Sequence, residues 1–232
     1  HGHKRAGHVG RRRVHDDTCV RRLVDREPGG VAGAEIAGST ISGVTTLTIT
    51  NSGGTTFSGA VSATTVTLTN TTGTIAFNGA LTATTLNTAA QGYNLAIAGS
   101  SNSVTNAVTF SNTGSLTLGN GGDTLAFNGG LTATAPSAVT LGGTLNTNSA
   151  SVTLGGTSKT LTLVGTNSII NTYSDGGVGA AISIAGPIQG TTALSESLSL
   201  KSKGGTITLS GVIGSSVSLG TLTLGDESQA GA

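Results

Sequence analysis

The chain has 232 residues, of which 38 are Gly and only 3 are Pro, while 9% are charged and 3% are aromatic. With 35% hydrophobic residues and a formal net charge of +1, it lacks the low apolar content and high charge that are typical of disordered chains. No apolar run approaches the roughly 20 residues that cross a bilayer, so we predict no membrane span. The single Cys excludes an internal disulfide framework.

Residues 1–35 differ in composition from the rest of the chain. They contain eight basic and five acidic residues, whereas residues 36–232 contain three Lys, five acidic residues and no Arg, His or Cys. The segment has no sustained apolar period and no apolar stretch of the kind a secretory signal needs, and it is interrupted at Pro28. We predict a disordered basic leader or a non-native segment, with an arm that binds nucleic acid or an anionic surface as the alternative.

The same segment contains every His and the only Cys. A metal site or a nucleophile needs a fixed geometry, which a segment without periodic structure does not provide. We therefore predict no metal ligand and no catalytic residue among His1, His3, His8, His15 and Cys19.

From about Val44 the sequence repeats itself, which is a strong guide to architecture. Residues 68–84 (LTNTTGTIAFNGALTAT) and 118–134 (LGNGGDTLAFNGGLTAT) are identical at 11 of 17 positions with an offset of 50. An offset of 20 relates the segment that begins at Phe57 to the one that begins at Phe77, and an offset near 25 relates residues 186–200 to 211–224. The repeating unit is therefore about 20 to 25 residues long.

Apolar and small polar residues alternate within each unit, which is typical of strands that are buried on one face. Leu47 and Ile49, for example, alternate with Thr46, Thr48 and Thr50. Units this short bury their apolar faces by stacking on one another. We predict an all-β fold in which residues 36–232 form a parallel β-helix, or β-solenoid, of about nine coils and about 43 Å. An antiparallel β-sandwich is the alternative, because Asn78-Gly79 and Asn128-Gly129 are dipeptides favoured in tight hairpins.

The phrases SVTLGGTSKTLTL (151–163), TIAFNGALTAT (74–84) and GTITLSGVIGSSVSLGTLTL (205–224) resemble the repeats of filamentous haemagglutinin-like exoproteins and autotransporter passengers. That resemblance covers about Val44 to Leu224. It implies a single-stranded right-handed β-helix, export to the bacterial cell surface, and a role as a stalk or adhesion surface that meets glycans or proteins of a host cell or matrix. The export signal, secretion domain and carboxy-terminal barrel of that group are not recognisable here, so we expect this chain to be a fragment of a longer protein.

Catalytic patterns are sparse in residues 36–232. Acyl-transfer triads need a base such as His, which this part of the sequence lacks. Lys159, Lys201 and Lys203 are formal candidates for a Ser-Lys pair, but two of them precede a Gly-Gly turn. A polysaccharide-active β-helix enzyme would need clustered carboxylates, and the acidic residues are mostly far apart in sequence. We predict no enzymatic activity and no cofactor, and keep such an enzyme as an alternative.

Asp123 is the single metal candidate outside the leader. Residues 118–125 approximate one copy of the calcium-binding nonapeptide of β-rolls, although Leu118 stands where the first Gly belongs. Calcium in such rolls is shared between successive turns, and the earlier repeat has Gly73 where an Asp would be needed. An ordinary turn is the alternative interpretation.

Outward threonines suggest a second non-catalytic function. Flat Thr ladders order water and bind ice, which makes an ice-binding solenoid an alternative to adhesion. The ladder candidates are Thr48, Thr50, Thr67, Thr69, Thr160, Thr162, Thr221 and Thr223. Low net charge and open coil ends also predict self-association. Exposed aromatic platforms for bases are scarce, so we predict no nucleic-acid partner for the repeat region.

Overall fold

The computed structural model describes residues 40–225, together with the backbone of two short strands at residues 21–24 and 34–36. None of these residues belongs to a helix long and apolar enough to cross a membrane. The strands in chain order are β1 (Arg21–Val24), β2 (Ala34–Ile36), β3 (Ile41–Thr50), β4 (Thr55–Phe57), β5 (Val61–Thr69), β6 (Thr74–Phe77), β7 (Leu81–Thr88), β8 (Asn94–Ile97), β9 (Ser101–Val104), β10 (Val108–Thr109), β11 (Leu116–Leu118), β12 (Thr124–Phe127), β13 (Leu131–Ala133), β14 (Val139–Asn146), β15 (Val152–Leu154), β16 (Leu161–Asn171), β17 (Ile182–Ile184), β18 (Ile188–Gln189), β19 (Ser197–Lys201), β20 (Ile207–Leu209) and β21 (Thr221–Leu224).

Each strand pairs in parallel with the strand one coil further along the chain. Phe57 of β4 pairs with Phe77 of β6, and Leu198 of β19 pairs with Leu222 of β21. The antiparallel contact recorded between described residues is an isolated bridge from Asn148 to Tyr173. The chain is therefore a β-solenoid, as the repeat predicted, and the antiparallel sandwich is wrong.

The strands form three faces. The first face contains the starts of β3, β5 and β7, then β9, β12, the ends of β14 and β16, β19 and β21. The second face contains the ends of β3, β5 and β7, then β10, β13, β15, β17 and β20, and β1 pairs with β3 there. The third face contains β2, β4, β6, β8, β11, the starts of β14 and β16, and β18.

The third face counts the coils. From β4 it passes through seven strands and ends with a bridge from Ile188 to Ile213, which gives about eight rungs. At about 4.8 Å per rung, the described stack rises about 34 Å. The prediction of nine coils covered residues 36–232, whose ends lie outside the described residues.

The inward side chains form one continuous apolar core. Each short strand places two apolar residues inward and one polar residue outward between them, as in β11, where Leu116 and Leu118 are buried around half-buried Thr117. Buried positions are almost all occupied by Leu, Ile, Val, Phe or Ala. Burial of a Leu-sized side chain stabilises a fold by about 1.5–3 kcal/mol, so this core is the main source of stability.

Coil length varies more than the sequence indicated. The offset between paired residues is 20 from Phe57 to Phe77 but 30 from Val152 to Ile182. The longer coil contains a loop after β16, whose base is closed by the Thr172 hydroxyl, which donates to the Ala180 carbonyl and accepts from the Ala180 N–H. The predicted range of 20 to 25 residues is thus exceeded where a closed loop leaves the stack.

The two kinds of sequence repeat behave differently in the fold. With an offset of 20, the rings of Phe57 and Phe77 stack directly, with centroids 5.0 Å apart and planes 7° apart. With an offset of 50, Phe77 lies on the third face whereas Phe127 pairs with Val104 on the first face. The longer repeat therefore does not correspond to a whole number of coils.

Glycines at one corner allow the coils to approach closely. Gly59, Gly79 and Gly99 lie above one another between the third and first faces, and a Cβ added to Gly79 would lie 2.3 Å from the Gly59 carbonyl. Gly79 does not have a positive φ. Asn78-Gly79 therefore serves as a coil corner where the absence of a side chain matters, and not as a hairpin turn.

Gly79→Ala should destabilise the solenoid strongly, because its Cβ would overlap backbone atoms that belong to the rung below. We expect a loss of about 3 kcal/mol, the upper end of the usual cost of overpacking. The matched control is Gly92→Ala, since Gly92 has nothing within 4 Å of the added Cβ and no positive φ. Urea unfolding followed by circular dichroism measures both, and equal midpoints for the two variants would contradict the close-approach argument.

Candidate functional site

The eight predicted ladder threonines do not share one surface. Thr48 pairs with Thr67, and Thr50 with Thr69, on the second face. Thr162 lies on the third face with Thr160 directly before its strand, whereas Thr221 and Thr223 lie on the first face in the last coil. Most of these side chains are half-buried. The structure therefore brings together only the two pairs in β3 and β5.

A longer array of hydroxyls lies further along the second face. Its members are the central, outward residues of five successive strands that pair in register, namely Thr109, Thr132, Thr153, Ser183 and Thr208. We call these five residues the hydroxyl column. The inward residues on either side of each member belong to the core. The column therefore rests on a rigid sheet, with about 4.8 Å between rungs.

Sequence reasoning missed the hydroxyl column because the coils that contain it differ in length. Its members are separated by 23, 21, 30 and 25 residues, so no fixed period reveals them. A local signal was present, because each member is the centre of a triplet with apolar residues on both sides. These triplets are VTF (108–110), LTA (131–133), VTL (152–154), ISI (182–184) and ITL (207–209).

An open groove follows the corner between the first and second faces near the amino-terminal end. Its volume is about 440 Å³, and its walls carry small residues and hydroxyls. Thr45, Thr64, Thr84 and Thr105 form one exposed row along it. The groove contains no charged or aromatic side chain, so it offers hydrogen bonds and shape but no nucleophile paired with a base.

The charged groups of the described residues mainly hold turns. Residues 40–122 contain no charged side chain at all. Lys159 Nζ donates to the carbonyls of Thr134 and Ala135, with a distance of 2.7 Å to the latter. Asp175 accepts from the Ser149 hydroxyl and the Gly177 N–H at 3.1 Å. These groups are therefore already engaged with neighbouring atoms of the solenoid.

Glu196 is the acidic side chain most completely enclosed by the fold. It is 3% exposed and lies at the end of the loop between β18 and β19. Its carboxylate accepts hydrogen bonds from the Thr191 hydroxyl and the Thr192 N–H. The Thr191 hydroxyl chiefly, with help from backbone N–H groups and against the effect of desolvation, lowers the pKa of Glu196 below its ordinary value.

Asp123 occupies a turn. Its carboxylate accepts the Asn120 N–H at 2.7 Å and closes a turn in which Gly119, Gly121 and Gly122 have positive φ. In residues 40–225 no three His, Cys, Asp or Glu side chains lie close enough to hold a metal ion together. His1, His3, His8, His15 and Cys19 lie outside the described residues, as does most of the leader, so the predictions for them stay predictions.

The two tyrosines have different environments. Tyr93 is fully buried, and desolvation raises its pKa to about 12. Tyr173 is half-buried beside the long loop, with Lys203 Nζ 5.6 Å from its ring centroid. Lys203 also donates to the Gly176 carbonyl at 3.0 Å. Neither ring is therefore a freely exposed stacking platform.

Comparison of the chain with protein-family models, with curated proteins and with solved structures found no match. The fold and the arrangement of its surface residues are therefore the basis for any functional argument.

Stability should depend on pH through Glu196. Because its pKa is lowered in the folded protein, the ionised carboxylate stabilises the fold above its ordinary pKa of 4.5, and this contribution is lost as pH falls through the lowered value. We expect the Tm difference between wild type and Glu196→Gln to narrow on acidification. Thermal melts between pH 7 and about pH 2.5 measure this narrowing.

Thr191→Val is the control, because it removes the main donor and leaves the carboxylate in place. Its stability should begin to fall at a higher pH than that of wild type. A Tm difference between wild type and Glu196→Gln that stays constant across the pH range would contradict the role assigned to the ionised form.

Proposed function

We propose that the chain is a non-catalytic stalk or adhesive segment of an exported bacterial surface protein. The observation that carries the proposal is the combination of one uninterrupted apolar core with an almost uncharged outer surface. Residues 40–225 contain three Lys and three acidic residues, five of which are hydrogen-bonded to backbone or hydroxyl groups. Such a solenoid presents neutral hydroxyls over a long surface and holds them rigidly.

The resemblance to filamentous haemagglutinin-like and autotransporter repeats supports the same proposal. It rests on the Gly/Thr/Ser-rich strand phrases within residues 74–224. A stacked solenoid suits a stalk, because every rung transmits force to the next through its ladder hydrogen bonds and its core contacts. Cell-surface location and contact with matrix glycans or proteins form part of this proposal.

The hydroxyl column is the proposed contact surface. Hydroxyls spaced at about 4.8 Å along a rigid sheet can each donate and accept a hydrogen bond, which matches neutral glycans without the need for charge. We expect the purified chain to bind cultured epithelial cells or immobilised neutral glycans. Replacing Thr109, Thr132 and Thr153 together with Val should weaken binding about tenfold or more, because three hydrogen bonds worth about 1 kcal/mol each are lost.

The matched control replaces Thr117, Thr140 and Thr162 with Val. These residues form an equivalent outward row of three rungs on the third face, so the two variants share composition and strand position. Binding retained by the control and lost by the column variant supports adhesion through the second face. Equal loss in both variants would contradict that surface, and an absence of binding by wild type would leave the role of a stalk alone.

Ice binding is a second candidate because the hydroxyl column is an in-register array on a flat sheet. The wild-type chain should then show thermal hysteresis that the column variant lacks and that the third-face control retains. Osmometry with microscopic observation of ice growth measures this effect. Growth of ice at the equilibrium freezing point in a concentrated solution of wild type would eliminate the candidate.

A further inference from the structure

Large apolar side chains are exposed only near the carboxy-terminal end of the described stack. Residues 40–177 contain none, whereas the final coils contain Val178, Leu194, Val212, Ile213 and Leu224. Three of these, Val212, Ile213 and Leu224, belong to the last coil. They are 63%, 37% and 53% exposed, respectively.

Two of these residues are exposed because no rung covers them. Ile213 bridges to Ile188, which is 1% exposed, and Leu224 pairs with Leu200, which is fully buried. On the second face, half-buried Ile207 likewise pairs with fully buried Ile182. The last coil therefore repeats the inward pattern of the coils below it, and its top is an exposed cross-section of the core.

The strands at this end also lack the usual protection of an edge. β20 and β21 each pair with one neighbour, so the outer row of their backbone groups has no strand partner among the described residues. Natural edge strands are usually blocked by Lys, Pro, bulges or a covering segment. Residues 204–225 contain no charged residue and no Pro. We call the top of this coil, residues 207–224, the open end.

We propose that two copies of this chain associate through their open ends around a two-fold axis, an interaction that goes beyond the role as a stalk or adhesin. Two identical uncharged surfaces meet without repulsion, and the two-fold relation makes the facing edge strands antiparallel, a favourable pairing. Each copy covers the apolar residues of the other.

The fold favours this closed pair over other occupants. At the opposite end β1 and β2 already pair with β3 and β4, so that end does not offer the same bare edges to a head-to-tail neighbour. Residues 226–232 number seven, fewer than the 20 to 30 residues that one rung uses, so they cannot by themselves form another coil. A second copy supplies both the apolar surface and the strand edges.

Sedimentation velocity of the 232-residue chain over a range of concentrations tests the proposal. We expect a monomer–dimer equilibrium for wild type and a monomer for the double variant Val212→Lys/Leu224→Lys, because like charges then face each other across the axis. The matched control is Val178→Lys, which adds a charge at a site that is 77% exposed but lies in the loop before β17, away from the open end. This control should dimerise as wild type does.

Hydrogen exchange provides a readout that does not depend on the variants. Amides of residues 207–209 and 221–224 should exchange more slowly at high protein concentration than at low concentration, while those of β5 and β7 should not change. Circular dichroism confirms that each variant is folded. Monomer at all concentrations, concentration-independent exchange, equal disruption by Val178→Lys, or filaments longer than dimers would each overturn the proposal.

Discussion

The structure depends on the parallel, in-register stacking of successive coils. Each rung by itself has two apolar residues per face and no means of shielding them from water, whereas a rung between two others loses that exposure almost completely, as at Leu116 and Leu118. Stacking also satisfies the backbone groups of each strand on both sides. Small corner residues follow from the same constraint, because a side chain at Gly79 would separate adjacent rungs.

The distribution of charge follows from this architecture and supports the functional proposal. A solenoid presents nearly half of each strand to solvent, and most proteins would place charged residues there. This chain instead places Thr, Ser and Asn on its outward positions and uses groups such as Lys159 and Glu196 to fix turns. A surface of this kind interacts by hydrogen bonding and shape, and its contacts should therefore be insensitive to salt.

Much of the architecture could be predicted from the sequence, because alternation and repetition are local patterns. The inward positions of Leu47 and Ile49 and the stacking of Phe57 on Phe77 follow from them directly. The surface could be predicted less well. Which threonines share a face depends on coil length, and a single 30-residue rung shifts every later position. The burial of Glu196 was also unforeseen, since it depends on donors within a closed loop.

The 50-residue repeat has a structural consequence for how such a chain could be built. Leu68, Phe77 and Leu81 lie on the second, third and first faces, and their counterparts Leu118, Phe127 and Leu131 lie on the third, first and second. Each copy is thus rotated by one side of the triangle relative to its twin. The heritable building block is therefore a single side with its bend. Insertion of one such block would turn everything downstream by a third of a revolution and would change which ligand-facing surfaces align.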